Sequence, residues 1–288
     1  MNKKTYLIEK AEKGLTIQQY LKQIAGFSNA QIRSMKFTEN GICLGGQRAR
    51  VTTRLSEGDV LEVLLETKNS SSAHLLSFEQ MPDILYEDAD VIAVNKPAGM
   101  AVHPSHGHYQ DTLANQLAYY FRKNTQQVEI HSIGRLDLET SGIVLFAKHR
   151  AAAARLSRQR EDGRLQKTYL AICSGIFAEK NGTLNGAIAP LPGSLMKMCV
   201  SKDGKPAVTH YQVQKQYMEA ALVQLTLETG RTHQIRVHMA DAGHPLIGDR
   251  LYFADTDQKA DVDAENCFTG IKRAALHASR ICFYQPFE

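Results

Sequence analysis

The sequence has no apolar run that approaches the ~20 residues a membrane-spanning helix needs. The longest, such as Gly142–Ala147, stops far short. Lys3 and Lys4 are followed by no apolar stretch, so no secretory signal is expected. Cysteine is sparse. Cys43, Cys173, Cys199, Cys267 and Cys282 stand far apart, odd in number and with no C-x-x-C pair. That pattern excludes a disulfide framework and a cysteine zinc site, and a reduced, cytoplasmic protein is expected. There is no internal repeat, no long low-complexity tract and no glycine-rich phosphate loop. What remains is ordinary for a globular chain: 43% hydrophobic and 22% charged over 288 residues. Such a length fits one large domain or two unequal ones.

Charge is unevenly placed. Residues 1–68 hold 11 of the 34 Lys and Arg and 7 of the 30 Asp and Glu, so the whole formal excess of +4 lies there. A small basic module ahead of a neutral body suggests a polyanion-binding appendage. The polar, serine-rich stretch Thr67–Ala73 separates the two. We expect a module over 1–68, a linker over 69–79 and a main domain over 80–288.

Within the module, Thr16 caps a helix carrying Ile17, Tyr20, Leu21 and Ile24, and Gly26 stops it. Ser28 opens a second helix, with Gln31 in capping-box position. Gly45–Gly46 forms a hairpin turn after Ile42–Leu44, and a last strand follows the turn at Gly58–Asp59. This segment resembles the small ribosomal-protein S4-like RNA-binding domain. The resemblance rests on S-x-x-Q-I-R at Ser28–Arg33, I-x-L-x-G at Ile42–Gly46 and L-x-x-G-D-V at Leu55–Val60. It implies a basic helix and hairpin laid against RNA phosphates, with Arg33, Lys36, Arg48, Arg50 and Arg54 as contacts. Leu44-Gly45-Gly46 stands where such a domain usually has Asn before the hairpin glycine, so the turn type is open.

The rest reads as strands of mixed spacing with interspersed helices, an α+β domain around a largely antiparallel sheet. A hairpin turns at Glu87–Asp90, a helix starts at Asp111–Thr112, and Gly142–Lys148 is a buried strand. Thr232 is the expected cap of a helix closed by Gly243. Two segments are rich in chemistry. In His131–Lys148, Arg135, Asp137, Glu139 and Thr140 crowd a loop before the buried strand, where functional groups are often held. Asp137 and Glu139 would share a face in an extended chain, which invites a glycosidase reading; taken alone, Asp137 reads as a turn or cap residue. In Glu228–Asp249, His233 and His238 are five apart and lie on different helix faces, unlike a zincin pair. His103, His106 and His108 fit no standard zinc pattern, so no metal is expected.

Together these segments resemble the RluA family of pseudouridine synthases. Four blocks match in order: NKPAGMAVHP (Asn95–Pro104), GRLDLETSG (Gly134–Gly142), KTYLAICSG (Lys167–Gly175) and TGRTHQIRVHMADAGHPLIGD (Thr229–Asp249), with LHA (Leu276–Ala278) completing the set. The resemblance implies isomerisation of uridine in RNA, ribosomal RNA first and tRNA as the alternative, by a cytoplasmic monomer with no cofactor and no membrane partner. It implies that Asp137 is the essential carboxylate, as nucleophile at C1′ or as base on the sugar. Tyr169 would pack on the base and assist removal of the C5 proton, Arg231 would pair with Asp137, Arg135 would assist flipping or hold the flipped nucleotide, and Lys96 and His103 would line the RNA face. Gly134 stands where many members have His. Members also usually run past HASRICFYQPF, closing the fold with a strand and Pro-rich tail, so a weakly held edge is expected near Ile281–Phe283. The competing readings are a non-catalytic RNA-binding factor and a metal-free glycoside hydrolase.

Overall fold

The computed structural model describes residues 3–65, 75–105, 107–253 and 270–287. Most of the expected linker, residues 69–74, and His106 lie outside them.

The N-terminal part is a four-stranded antiparallel sheet of order β1-β4-β2-β3, from β1 (Lys3–Leu7), β2 (Ile42–Leu44), β3 (Gln47–Arg48) and β4 (Val60–Leu64). Two helices cover it, α1 (Ile17–Gln23) and α2 (Asn29–Phe37). Both begin with reciprocal capping boxes, Thr16 with Gln19 and Ser28 with Gln31, which satisfy otherwise orphaned N–H groups. Gly45 and Gly46 both have positive φ, 57° and 79°. That is the type I′ geometry a two-residue hairpin favours, which settles the turn. Ile8, Ile17, Leu21, Ile32, Ile42, Leu61 and Val63 form the core.

The remainder is built on a mixed, antiparallel-dominated sheet. Its strands are β5 (Ile84–Glu87), β6 (Val91–Lys96), β7 (His131–Ser132), β8 (Ser141–Ala147), β9 (Gln166–Ser174), β10 (Asn181–Asn185), β13 (Val208–Gln216), β14 (Ala220–Leu227) and β15 (Leu276–Cys282). Their order is β10-β13-β14-β9-β15-β8-β6-β5, with β7 beside β8. A small separate hairpin pairs β11 (Ile188–Pro190) with β12 (Met198–Val200). Only β15 and β8 run parallel among the described pairs.

The centre of this sheet is buried on both faces because its residues alternate between two apolar layers. Ile92, Val94, Val144 and Phe146 face α3 (Leu113–Lys123) and its Leu113, Leu117 and Phe121. Val91, Ala93, Leu145 and Ala147 face α4 (Arg150–Glu161) through Ala152 and Leu156. Thr112 caps α3 with Asn115 in a third capping box. Leu75–Phe78, expected as linker, is tied along α3: Asn115 Nδ2 donates to the Leu76 carbonyl at 2.7 Å and Arg122 to Leu75 at 2.6 Å.

At the C-terminal end, β15 lies between β9 and β8 but pairs with β8 only at His277 and Ala278; Arg280–Cys282 pair with β9 alone, and Ile281 and Phe283 are covered by packing on the α4 layer. Beyond it, Phe287 joins the N-terminal core. The Arg155 guanidinium stands 4.1 Å over the Phe287 ring and 5.3 Å from Phe27, and Lys4 Nζ donates to the Phe287 carbonyl at 3.1 Å.

Candidate active site

The loop from β7 to β8 carries Arg135, Asp137 and Glu139, and the structure anchors it from two sides. Lys96, at the end of β6, is 0% exposed. Its ammonium donates to the carbonyls of Pro97 (2.9 Å), Met100 (2.7 Å) and Leu138 (3.2 Å), while Gly99 N–H donates to Leu138 at 2.8 Å. The expected place of Lys96 on the RNA face is therefore corrected: it fastens the NKPAG turn to the residue after Asp137. Burial pulls its pKa down to about 8, opposed by the negative charge of Asp137. On the other side, Glu139 Oε2 accepts from Ala274 N–H at 3.3 Å and lies 3.9 Å from Arg236, and Arg273 donates to the Glu139 carbonyl. Glu139 is occupied with anchorage, so the paired-carboxylate reading finds no support. Gly142 must be glycine, because a Cβ there would meet the Ala278 carbonyl oxygen at 2.3 Å as β15 pairs alongside.

Asp137 faces groups from several elements. Tyr169 lies mid-β9, 7% exposed, and burial followed by the charge of Asp137 raises its phenol pKa. His233 precedes α5 (Gln234–Asp241) in the left-handed conformation, φ 56°, and its Nδ1 meets the Tyr252 hydroxyl at 2.9 Å. Its pKa is lowered by burial, with Asp137 acting in the opposite sense. The expected cap is corrected: Thr232 does not cap α5, since His233 holds that position without a side-chain cap bond. Arg236 donates to both oxygens of Asp249 and is stacked 5.1 Å over Tyr252. The charge of Asp137 also acts on Arg236 and Tyr252.

Arg231 departs from its expected place. It is exposed, its Nε donates to the Pro206 carbonyl at 3.0 Å, and it makes no ion pair with Asp137 in this structure. Gln234 Oε1 holds the Arg231 N–H at 2.9 Å, which fixes the backbone here while the side chain reaches outward. Arg135 is exposed and donates to the Thr232 hydroxyl at 2.7 Å, bridging the Asp137 loop to the entry of α5. His103 is half-buried, bonded to the Ser132 hydroxyl and set edge-on to Phe146 at 6.0 Å. Its pKa falls through burial and the neighbouring His131. His238 is buried between Thr209 and the Gly186 carbonyl, and His244 stacks on Phe177.

In the N-terminal part, Arg33, Lys36, Arg48, Arg50 and Arg54 are all exposed. Arg33 and Lys36 share a face of α2, and Arg48 reaches the Lys36 carbonyl at 3.2 Å, drawing these three together. Arg54 instead donates to the Gly14 carbonyl at 2.8 Å, beside the entry to α1.

The sequence profile for RNA pseudouridylate synthases matches residues 90–241, which contain the Asp137 loop, Tyr169 and α5. This chain belongs to that family. It is 36% identical over 273 residues, 94% of this chain and 91% of the relative, to a protein of Bacillus subtilis named uncharacterized RNA pseudouridine synthase YjbO. It is 38% identical to ribosomal large subunit pseudouridine synthase D of Neisseria meningitidis, over 84% of this chain and 62% of that one. Among solved structures, human RNA pseudouridylate synthase domain containing 1 superposes with a TM-score of 0.55 at 27% identity, covering 77% of this chain and 88% of that one. Membership makes the chain an RNA pseudouridine synthase.

Sequence reasoning missed several parts of the synthase's site. Arg236, Asp249 and Tyr252 form a cluster on which the charge of Asp137 acts, and Arg273 braces its loop through the Glu139 carbonyl. Arg236 and Asp249 lay inside a quoted block, but nothing in their spacing distinguishes a buried pair from two surface charges. No helix among the described residues is long and apolar enough to cross a membrane.

Proposed function

We propose that this synthase isomerises uridines of large-subunit ribosomal RNA, with Asp137 as the essential carboxylate and no cofactor. The observation that carries the reading is convergence. The charge of Asp137 acts on Lys96 at the end of β6, Tyr169 in β9, and His233 and Arg236 at the start of α5, three separate segments of the chain. A single carboxylate held at such a junction suits attack at a sugar carbon or removal of a sugar proton.

In the proposed reaction the bond from C1′ to N1 breaks, the uracil turns within the pocket, and C5 joins C1′; C5 gives up its proton to solvent and N1 takes one up, so the proton count closes. Product and substrate are isomers, so no oxidant, reductant or group donor is consumed. Tyr169 packs against the uracil. Its raised pKa keeps the phenol neutral, which suits ring contact and hydrogen-bond donation better than ready proton abstraction. Arg135, at the rim, holds the nucleotide that must leave its stack. Arg231 has the reach of an exposed side chain on a fixed backbone; to pair with Asp137 it must release the Pro206 carbonyl when RNA binds. His103 borders the same loop through Ser132. The N-terminal part acts as an S4-like RNA-binding module through its exposed cations, and the protein works as a cytoplasmic monomer.

The ribosomal assignment draws on the relatives named for the large subunit. Mapping pseudouridines in ribosomal RNA and tRNA from cells with and without this protein tests it. Loss of one or a few large-subunit positions is expected; loss confined to tRNA overturns the substrate assignment.

A further inference from the structure

Gly134 stands three residues before Asp137, and the space beside it is bordered by two cations. A Cβ built on Gly134 would lie 3.5 Å from Lys167 Nζ and 3.7 Å from Arg160 Nη1. Lys167 opens β9, and Arg160 is in the last turn of α4. Neither has a carboxylate within ion-pair distance among the described residues. Lys167 is partly buried, and Arg160 lies beside it. Two like charges facing one gap without an acidic neighbour form an unfavourable arrangement unless an anion enters. The pKa of Lys167 is lowered to about 8, through burial and then Arg160.

The gap also has a defined place relative to the chemistry. Lys167 and Tyr169 are two apart on one strand, so their side chains leave the same face. The loop runs along that face, with Gly134 at Lys167 and Asp137 acting on Tyr169. A phosphate in the gap would therefore belong to a nucleotide next to the one at Asp137. Arginine and lysine together suit a phosphate, one by its planar fork and the other as a point charge.

We propose that Lys167 and Arg160, on either side of Gly134, bind one RNA backbone phosphate adjacent to the target uridine and so position it over Asp137. The proposal rests on the RNA reading above. They are positioning residues: they touch the chain of the substrate and not its reacting atoms.

The test uses the full chain and an unmodified bacterial large-subunit ribosomal RNA transcript labelled with [5-³H]uridine, whose tritium is released on isomerisation. Lys167→Met, Arg160→Met and Lys167→Arg are compared with wild type, by steady-state kinetics and by RNA-binding isotherms at several salt concentrations. Each Met variant should raise KM about tenfold, the effect of one lost charge-assisted contact. Each should flatten the slope of log affinity against log salt by about 0.7–0.9. The kcat should stay within about threefold, as when uniform binding is removed, and Lys167→Arg should restore both KM and slope. Lys167→Met should melt no lower than wild type, because it removes an uncompensated cation. Tritium release by wild type with unchanged KM and slope in both Met variants overturns the phosphate site alone. A fall in kcat at constant KM does so too, because it would place the cations in service of Asp137. No release by wild type overturns the large-subunit substrate reading beneath it, and is distinguished in that way from failure of the phosphate site.

Discussion

Arg236 and Asp249 meet as a buried, two-pronged ion pair, Nε to Oδ2 at 2.6 Å and Nη2 to Oδ1 at 2.7 Å. Asp249 Oδ1 also accepts the N–H of Leu251 at 3.0 Å and of Tyr252 at 3.3 Å, which fixes the carboxylate to the turn after α5. Arg236 in turn reaches Glu139 and the Tyr252 ring. The pair therefore joins α5, the turn after it and the Asp137 loop. Removing one partner strands a buried charge, at a cost of about 3–5 kcal/mol. We expect Arg236→Met and Asp249→Leu each to fall in that range by urea denaturation. The double variant should cost clearly less than the sum. Strict additivity would show that the pair is not coupled.

Asp137→Asn keeps the shape of the side chain but can act neither as nucleophile nor as base. Tritium release should drop below about 1% of wild type, within the range attributed to a single acid–base group. RNA affinity should stay within a few-fold, because the contacts proposed for RNA lie on cations elsewhere. Residual turnover well above that level would remove Asp137 from the chemistry and leave it as a loop residue.

Lys96 links pH to the site. Its pKa of about 8 lies below the usual lysine value, near 10.4. Above about pH 8 the ammonium loses a proton and, with it, part of its hold on the Pro97, Met100 and Leu138 carbonyls. Activity should decline there as the Asp137 loop loosens. The sign for stability is opposite. Between about pH 8 and 10.4 the unfolded chain binds the proton and the fold does not, so this group alone makes stability rise with pH. Activity falling while the urea midpoint holds or rises is the expected signature. A parallel fall of both would point to general unfolding.

Much of this fold could be read from local pattern, and the misreadings have physical causes. The cap at Thr16, the capping box at Ser28 and Gln31, the hairpin turn at Gly45–Gly46 and the hairpin turning at Glu87–Asp90 are local, and each appears where the residues placed it. The position of β15 between β9 and β8 was not legible, because parallel pairing with a distant strand leaves no mark in either segment. Lys96 was misplaced because a lysine is normally solvated; here three carbonyls replace its water. Thr232 looked like a cap, but its hydroxyl accepts from Arg135 and leaves His233 to turn the chain with positive φ. For Arg231 and Arg236, one block offered two arginines, and only burial tells on which the charge of Asp137 acts.

The basic N-terminal part gives the last prediction. Deleting it would test RNA binding, but deletion also uncovers Phe287, Ala151 and the Arg155 guanidinium, which pack against Phe27 and its neighbours. Lost affinity could then reflect damage to the body. Neutralising exposed charges avoids this. Arg33 and Lys36 are exposed on α2, and the Arg48 guanidinium donates to the Lys36 carbonyl. Arg33→Gln, Lys36→Gln and Arg48→Gln together should leave the melting temperature almost unchanged, since surface substitutions of this kind fall within about 0.5 kcal/mol. If these three side chains neutralise phosphates, each contributes about 0.7–0.9 to the slope of log affinity against log salt, so the triple variant should flatten it by roughly 2–3. KM for structured RNA should rise while kcat holds, because the reacting groups are untouched. Arg54→Gln, whose guanidinium is engaged by the Gly14 carbonyl, should change the slope less. Binding isotherms on the full chain at several salt concentrations decide the matter: a triple variant with the wild-type slope would mean that this face of α2 and the hairpin does not meet RNA.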